Sequence, residues 1–311
     1  MKRLHDVSVI IRSVGERTEE LCKKLILDQG IPQENLFVIN EKPFSKAMKV
    51  GYQLGIDQDL SWTYIIDADV LLRENAIIDM VKAIEQMPDN TLGISGELLD
   101  KLMGRKRTAG NHLFCTEYLH LMIKAIQPYE KENIRPESTI IKRLKKNGLF
   151  FEKNKKFIGL HDFEQHYHDI ARKAFIHSKK HIEHISDYIQ FWQASLRKDQ
   201  DFRAALFGLS RAINHTEGVK ININDFTSLH EEVIEVFEKK SNLISDFEIQ
   251  SFTDVEKKMN KKENRFFLDE RFEKKYRKQF RRKFNEITYR ELLRSIAGKI
   301  KSDVKKKLKF L

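Results

Sequence analysis

Hydrophobic and polar positions along the first hundred residues form short apolar runs separated by amphipathic stretches. The apolar, β-branched runs at 7–11, 36–39 and 62–66 predict buried strands. Between them, apolar residues spaced three and four apart predict helices at about 16–29 and 45–55. Strands and helices that alternate with short connections predict an α/β fold with a doubly wound sheet.

The alternation continues as far as a predicted helix at about 75–86 and a strand at 92–95, and then becomes less regular. From about residue 170 to the end, the pattern is mainly helical. We therefore predict an α/β domain at 1–185, with halves at about 1–100 and 101–185. The remaining residues, 186–311, are predicted to form a helical C-terminal region.

Three polar clusters, at 12–17, 40–46 and 67–69, each follow a predicted strand. In open α/β sheets, ligands bind beyond the carboxyl ends of the strands, so these clusters are expected to meet at one edge. The last cluster is Asp67-Ala68-Asp69. Two carboxylates so placed can hold Mn²⁺ or Mg²⁺, and the cation can bridge a diphosphate. A solvated loop is the alternative interpretation of this short motif.

The segment 7–72 resembles the nucleotide-binding half of GT-A glycosyltransferases, in particular the family 2-like group. Val7-Ser8-Val9-Ile10-Ile11, followed by Arg17, is similar to the opening strand and loop arginine of that family. Val38-Ile39-Asn40-Glu41 lies where the family's strand ends in paired aspartates, and Tyr64-Ile65-Ile66-Asp67-Ala68-Asp69 is similar to its D-x-D strand. The stretch 137–148 resembles the helix whose first acidic residue is the catalytic base.

This resemblance implies a metal-dependent, inverting glycosyltransferase with its nucleotide-sugar half at about 1–100 and its acceptor half at 101–185. Glu137 is then the base that takes the proton of an acceptor hydroxyl. The metal ligands are expected to be Asp67, Asp69 and His161, because histidine after the acceptor region is a frequent third ligand in the family. The expected nucleoside and phosphate wall consists of Arg12, Ser13, Arg17, Asn40, Glu41, Lys46, Asp67 and Ala68.

The chain departs from the family pattern at several positions, among them Pro136, which precedes Glu137 where another acid is common. Arg12 stands where proline is usual, Asn40-Glu41 replaces the paired aspartates, and Glu137 replaces an aspartate. A sugar nucleotidyltransferase is an alternative, although such enzymes have a glycine-rich basic loop after the first strand. The stretch 12–17 contains one glycine. The basic stretch 105–110 is predicted to be a mobile loop, either solvated or closing over a diphosphate.

Net charge is concentrated at the C-terminus. Residues 271–311 contain 16 Lys and Arg against 4 Asp and Glu, a net charge of +12, and the other residues carry −1, which gives +11 for the chain. Within 289–311, apolar residues recur every four positions among lysines, which predicts a basic amphipathic helix on an anionic membrane surface. The alternative is a nucleic-acid-binding tail, which the nearly neutral remainder and the lack of interleaved aromatic residues disfavour.

The two cysteines imply no disulfide framework, and no apolar run reaches the length of a signal peptide or a bilayer span. We therefore expect a cytoplasmic protein on the inner face of the cell membrane. Its partners would be a nucleotide-sugar donor and a glycan or glycolipid acceptor, in surface glycan or polysaccharide biosynthesis. Nucleic acid is not expected as a partner.

Overall fold

The computed structural model describes residues 2–108, 110–126, 136–197, 199–216, 223–241 and 244. Its strands are β1 (Val7–Arg12), β2 (Leu36–Ile39), β3 (Trp62–Asp67), β4 (Val70–Leu72), β5 (Thr91–Asp100), β6 (Arg105–Arg107), β7 (Asn111–Cys115) and β8 (Phe150–His161). Its helices are α1 (Glu19–Leu27), α2 (Phe44–Asp57), α3 (Ala76–Ile84), α4 (Leu119–Lys124), α5 (Pro136–Lys146), α6 (Tyr167–Lys180), α7 (Ile185–Ser195), α8 (Asp201–Asn214) and α9 (Thr227–Val236).

The strands form one mixed sheet in the order β2-β1-β3-β7-β5-β8-β4, with β6 paired to β5. β1 runs parallel to β2 and β3, and β5 runs parallel to β8. β7 is antiparallel to both of its neighbours, and β4 is antiparallel to β8. The α/β class and the helical region after it are confirmed. The antiparallel strands β6 and β7 lie beyond 92–95, where the sequence pattern loses its regularity, whereas the antiparallel β4 lies within the regular part and was not predicted.

Apolar side chains cover both faces of the sheet. On one face, α1 and α3 pack through residues such as Ile26 and Ile77. On the other face, α2, α4 and α5 pack through residues such as Met48, Met122 and Ile140. The sheet is therefore buried on both sides, as continuous apolar strands require. Polar groups can therefore lie together only at the ends of the strands.

The helices α6 to α9 share a third apolar cluster, centred on the fully buried Trp192. α6 and α8 approach closely, because Gly208 faces the backbone of Ala171 and a side chain there would collide with it. α6 thus joins the helical cluster before residue 185, and the boundary at 185 stays a prediction. Among the described helices, none has the length and hydrophobicity to span a membrane.

Two segments, 105–110 and 289–311, were predicted from their basic composition. The stretch predicted as a mobile loop contains strand β6, which pairs with 98–100 of β5, so that prediction was wrong for 105–107. Its Arg-Lys-Arg sequence has no apolar alternation, and its strand form depends on a partner that local patterning does not reveal. The predicted amphipathic segment 289–311 lies outside the described residues.

Candidate active site

The register of three strands brings four polar residues together at one edge of the sheet. β4 pairs antiparallel with β8 so that Val70 lies opposite His161. One step further out, Asp69 therefore lies beside Asp162, whose backbone N–H donates to the Asp69 carbonyl at 3.2 Å. In the parallel pairing of β5 and β8, Asp100 lies beside His161. Residues far apart in sequence thus meet because of strand pairing alone.

Asp69, His161 and Asp162 are buried and form a group that can hold a metal ion. One ligand atom from each lies within 4.8 Å of the others. Asp69 Oδ1 and Asp162 Oδ2 are buried and accept no well-aligned hydrogen bond in the part of the chain that the structure describes, and both face the His161 ring, at 3.5 and 3.0 Å. A carboxylate oxygen from each aspartate and a ring nitrogen of His161 fit a divalent cation with oxygen and imidazole ligands. We call these residues the metal group.

A lysine donates hydrogen bonds to the second carboxylate oxygen of Asp69 and of Asp162. The ammonium of Lys173, on α6, donates to Asp69 Oδ2 and Asp162 Oδ1. Burial alone would raise the pKa of both carboxyls, but Lys173 and His161 together lower them below the ordinary value. Each carboxylate thus has one oxygen held by Lys173 and one left for another ligand.

His161 is surrounded by carboxylates. Its Nδ1 lies 3.0 Å from Oδ2 of both Asp100 and Asp162, and its Nε2 lies 3.5 Å from Asp69 Oδ1. Burial would lower its pKa, but Asp162 and Asp69 raise the pKa to about 10. A metal takes the neutral imidazole, so a cation bound here must displace a proton.

Asp67, predicted as a metal ligand, lies outside the metal group. Its Oδ1 accepts a hydrogen bond from Arg12 Nε at 2.8 Å, because the parallel register of β1 and β3 places these residues side by side. Its N–H donates to the Gly110 carbonyl at 2.8 Å. A Cβ at Gly110 would come within 2.8 Å of Asp67 Oδ2, and φ is +70° there, so this close approach requires glycine.

Glu137 is held by three side chains in the first turn of α5. Arg12 Nη1 and Nη2 donate to its two oxygens at 3.0 and 3.3 Å, and the Tyr52 hydroxyl donates to Oε1 at 2.9 Å. His112 Nε2 lies 3.3 Å from Oε2. Burial would raise the pKa of Glu137, but Arg12 and then His112 bring it well below the ordinary value. Glu137 is therefore a fixed, ionised carboxylate, which we call, with Arg12, Tyr52 and His112, the glutamate group.

Two cavities reach these groups. The small cavity, of about 180 Å³, is lined by Arg12, Ser13, Val14, Glu16, Glu41, Lys42, Pro43, Phe44, Ala47, Asp67, Asp69, Arg172, Lys173 and Ile223. The large cavity, of about 490 Å³, is lined by Arg12, Phe44, Asp67, Met103, Arg105, Arg107, Thr108, Gly110, His112, Pro136, Glu137, Ser138, Arg172, Ile176, His177, Lys180 and His181. Arg12, Phe44, Asp67 and Arg172 border both, so the two cavities adjoin.

Five predicted site residues line the small cavity, namely Arg12, Ser13, Glu41, Asp67 and Asp69. Four others lie elsewhere. Arg17 donates to the Ser241 carbonyl at 2.7 Å and pairs with Glu164, so it faces the helical region. Ala68 has its side chain in the apolar core. Asn40 is exposed, and the exposed Lys46 pairs with Glu41 at 2.6 Å.

Asp162, Lys173 and Asp100 are site residues that the sequence pattern did not indicate. Asp162 directly follows the predicted ligand His161, and an acidic neighbour of a candidate histidine is a signal that could have found it. Lys173 and Asp100 gave no such signal, because one lies on a helix with many other lysines and the other at the end of a long strand. Their roles depend on α6 packing and on strand register.

No known protein family and no curated protein sequence matches the chain. Solved structures that are similar to it include the following three. They are a glycosyltransferase involved in the glycosylation of the major capsid of PBCV-1 (10% identity, TM-score 0.35, 50% of this chain and 92% of that one) and A197 from STIV (11%, 0.34, 45% and 78%). The third is the mannosyltransferase PcManGT from Pyrobaculum calidifontis in complex with GDP-Man and Mn²⁺ (10%, 0.40, 75% and 81%). Likeness at this level does not establish an activity for this chain.

Proposed function

We propose that this protein is a metal-dependent glycosyltransferase of the GT-A type that moves a sugar from a nucleotide-sugar donor to an acceptor hydroxyl. The carrying observation is the metal group, in which ligand atoms of three buried residues come close enough to share a cation. Its Asp69 lines the small cavity, and Glu137 lines the adjoining large cavity. The sequence resemblance to the family 2-like group supports the same proposal. It also assigned Asp69 and His161, from distant parts of the chain, to one metal site.

In this proposal, Asp69, His161 and Asp162 would hold Mn²⁺ or Mg²⁺, and the cation would supply positive charge to the diphosphate of the donor. Ser13 and Glu41 lie on the wall of the small cavity, where the nucleoside and diphosphate would bind. Arg12, buried between Asp67 and Glu137, fixes the wall that separates the two cavities. Asp67 serves as part of this wall rather than as a direct ligand.

Glu137 borders the large cavity, where the acceptor hydroxyl would meet the sugar. As the base of an inverting reaction, it would take the proton of that hydroxyl. Its contacts support an ionised form that is always ready to accept a proton. They also limit its basicity, because Arg12, Tyr52 and His112 stabilise the same charge. A role limited to positioning Arg12 is the competing assignment.

Asp69→Asn tests the proposal, since it removes a ligand charge with little change in shape. Calorimetry should show a loss of at least tenfold in the Mn²⁺-dependent affinity for a nucleoside diphosphate, assayed with UDP and GDP. The matched control is Asp89→Asn, an exposed aspartate remote from both cavities, which should bind like the unchanged protein. Mn²⁺-dependent binding that is equal in both variants would remove the basis for the proposal.

The predicted role of 289–311 in attaching the enzyme to anionic membrane stays a proposal, and with it the location on the inner membrane face. A glycolipid acceptor in surface glycan or polysaccharide biosynthesis would suit such a location. The basis is the apolar repeat within the segment that carries the excess charge. Co-sedimentation with anionic vesicles, with and without this segment, tests it, and equal sedimentation of both forms would contradict it.

A further inference from the structure

The wall of the large cavity includes strand β6, whose side chains alternate between two environments. Arg105 and Arg107 line the cavity, as residues two apart on one strand face do. Lys106 does not line it and instead pairs with Glu97 at 3.0 Å, with about half of its side chain exposed. The strand thus presents two arginines to the cavity and the intervening lysine to solvent.

The large cavity has more fixed positive than negative charge. Its lining contains five permanent cations, Arg12, Arg105, Arg107, Arg172 and Lys180. Its carboxylates are Asp67 and Glu137, and Arg12 binds both of them. Five cations against two carboxylates leave this lining with an excess of three positive charges.

Some of these cations have partners behind the wall. Arg107 donates to Asp100 at 2.8 Å and Arg172 to Asp169 at 3.1 Å, which fixes the position of both guanidinium groups. Arg105 donates to a neutral group, the Tyr188 hydroxyl, at 3.4 Å. Arg105 therefore retains most of its capacity to bind an anion, and Arg107 and Arg172 are held in place beside it.

Unsatisfied polar atoms point to the same cavity. Arg172 Nε, His112 Nδ1 and His177 Nδ1 belong to lining residues and are buried without hydrogen-bond partners among the residues that the structure places. His112 is only 8% exposed. Buried polar atoms without partners are costly, and the Nε–H of Arg172 is a donor in every protonation state, so a polar ligand beside this cavity would stabilise them.

The small cavity provides an internal comparison. Its lining contains four cations and four acids, so its charges balance. The cations are Arg12, Lys42, Arg172 and Lys173, and the acids are Glu16, Glu41, Asp67 and Asp69. The positive excess is therefore a property of the large cavity and is not shared by the whole edge of the sheet.

From these observations we propose that the large cavity binds a ligand bearing a phosphate or carboxylate group, recognised by Arg105 and supported by Arg107 and Arg172. Guanidinium groups suit such anions because their planar N–H donors match two oxygens at once. The inference rests on the proposed function, in which this cavity receives the acceptor and the transferred sugar. The anion is then carried by a phosphorylated acceptor or by an acidic sugar.

The test uses the full-length chain with glucose 1-phosphate, glucuronate and glucose as probes, measured by calorimetry. EDTA is present, so that no metal can bind the phosphate. We expect the better of the two anionic probes to bind at least tenfold more tightly than glucose. Arg105→Gln should remove most of that difference, because it deletes a charge-assisted contact. The matched control Lys106→Gln changes the neighbouring residue on the other strand face and should bind like the unchanged protein.

The two probes also distinguish the sources of the anion. Preference for glucose 1-phosphate indicates a phosphorylated acceptor, and preference for glucuronate indicates an acidic sugar. Equal binding of all three probes, or equal affinity in the Arg105 and Lys106 variants, would overturn the inference. Mn²⁺-dependent binding of a nucleoside diphosphate is measured separately on the same proteins. Its absence would contradict the proposed function, while anion binding that depends on Arg105 would still stand.

Discussion

The metal group and the glutamate group are both buried at the same edge of the sheet, but they differ in how their carboxylates are satisfied. Both oxygens of Glu137 are engaged by Arg12, and Tyr52 and His112 add further contacts. In the metal group, each aspartate has one oxygen held by Lys173 and one oxygen that faces only the His161 ring, without a well-aligned hydrogen bond among the described residues. The first arrangement fixes a charge, and the second leaves room for another ligand.

The two groups are therefore expected to contribute differently to stability and to ligand binding. A buried carboxylate whose oxygens are both hydrogen-bonded has no oxygen left for another ligand. Removing one partner of such an ion pair leaves an uncompensated charge. A group with unsatisfied atoms gives up stability that a bound ligand can restore. Substitutions in the glutamate group are thus expected to act mainly on folding and proton transfer. Substitutions in the metal group are expected to act mainly on ligand binding.

The largest effect is expected from Arg12→Met, which removes the shared partner of Asp67 and Glu137. Both carboxylates would remain near each other without the buried guanidinium. We expect the free energy of unfolding to fall by about 3–5 kcal/mol, the scale for breaking a buried ion pair. Urea denaturation measures the free energy of unfolding. Asp69→Asn is the comparison, because Lys173 still has its ion pair with Asp162 in that variant. Equal stability of both variants would abolish the distinction between the two groups.

Glu137→Gln is expected to have the next largest effect, on transfer. Glutamine keeps the shape and can still accept from Tyr52, while Arg12 keeps Asp67. If Glu137 is the base, turnover should fall by about 10², with donor binding retained. Near-normal turnover would leave Glu137 only the role of positioning Arg12.

The pH dependence adds an independent check on Glu137. Its lowered pKa means that its contribution to stability is complete above the ordinary pKa of about 4.3 and is lost as the pH falls through the folded value. Protonation of Glu137 therefore cannot reduce turnover above about pH 5. Acid denaturation below that pH should be less steep in Glu137→Gln than in the unchanged protein. Identical acid profiles would show that the carboxylate is not held as its contacts indicate.

The same comparison shows how far the sequence could predict the site. Asp69 and His161 were predictable because each follows an apolar strand, which is a local signal. Asp162 and Lys173 complete the metal group through the β4–β8 register and the packing of α6, and neither is visible in local patterning. Asp67 was assigned to the metal because the motif contains it, whereas the β1–β3 register gives it to Arg12. The α/β class was predictable, but the antiparallel β7 and the short β6 were not.

Asp100 contacts both the metal group and an arginine of the large cavity, and its substitution gives the smallest and most specific expected effect. It is fully buried, and its Oδ1 accepts from the Met103 N–H at 2.7 Å. Its Oδ2 lies 3.0 Å from His161 Nδ1 and accepts from Arg107 at 2.8 Å. One carboxylate thus orients a member of the metal group and an arginine of the large cavity.

Asp100→Asn retains the size of the side chain but removes the charge that orients His161. Partners behind metal ligands typically change metal affinity by about 10–100-fold, so we expect a loss near the lower end, smaller than in a variant that removes a ligand itself. Competition of Mn²⁺ with a fluorescent chelator measures the affinity, with Asp162→Asn as the variant that removes a ligand and circular dichroism as the check on folding. Because Asp100 also holds Arg107, the same variant should weaken binding of the anionic sugar probe. Loss of both Mn²⁺ affinity and binding of the anionic probe would show that the metal group and the large cavity depend on the same buried carboxylate. An unchanged Mn²⁺ affinity would show that His161 is oriented without the Asp100 carboxylate.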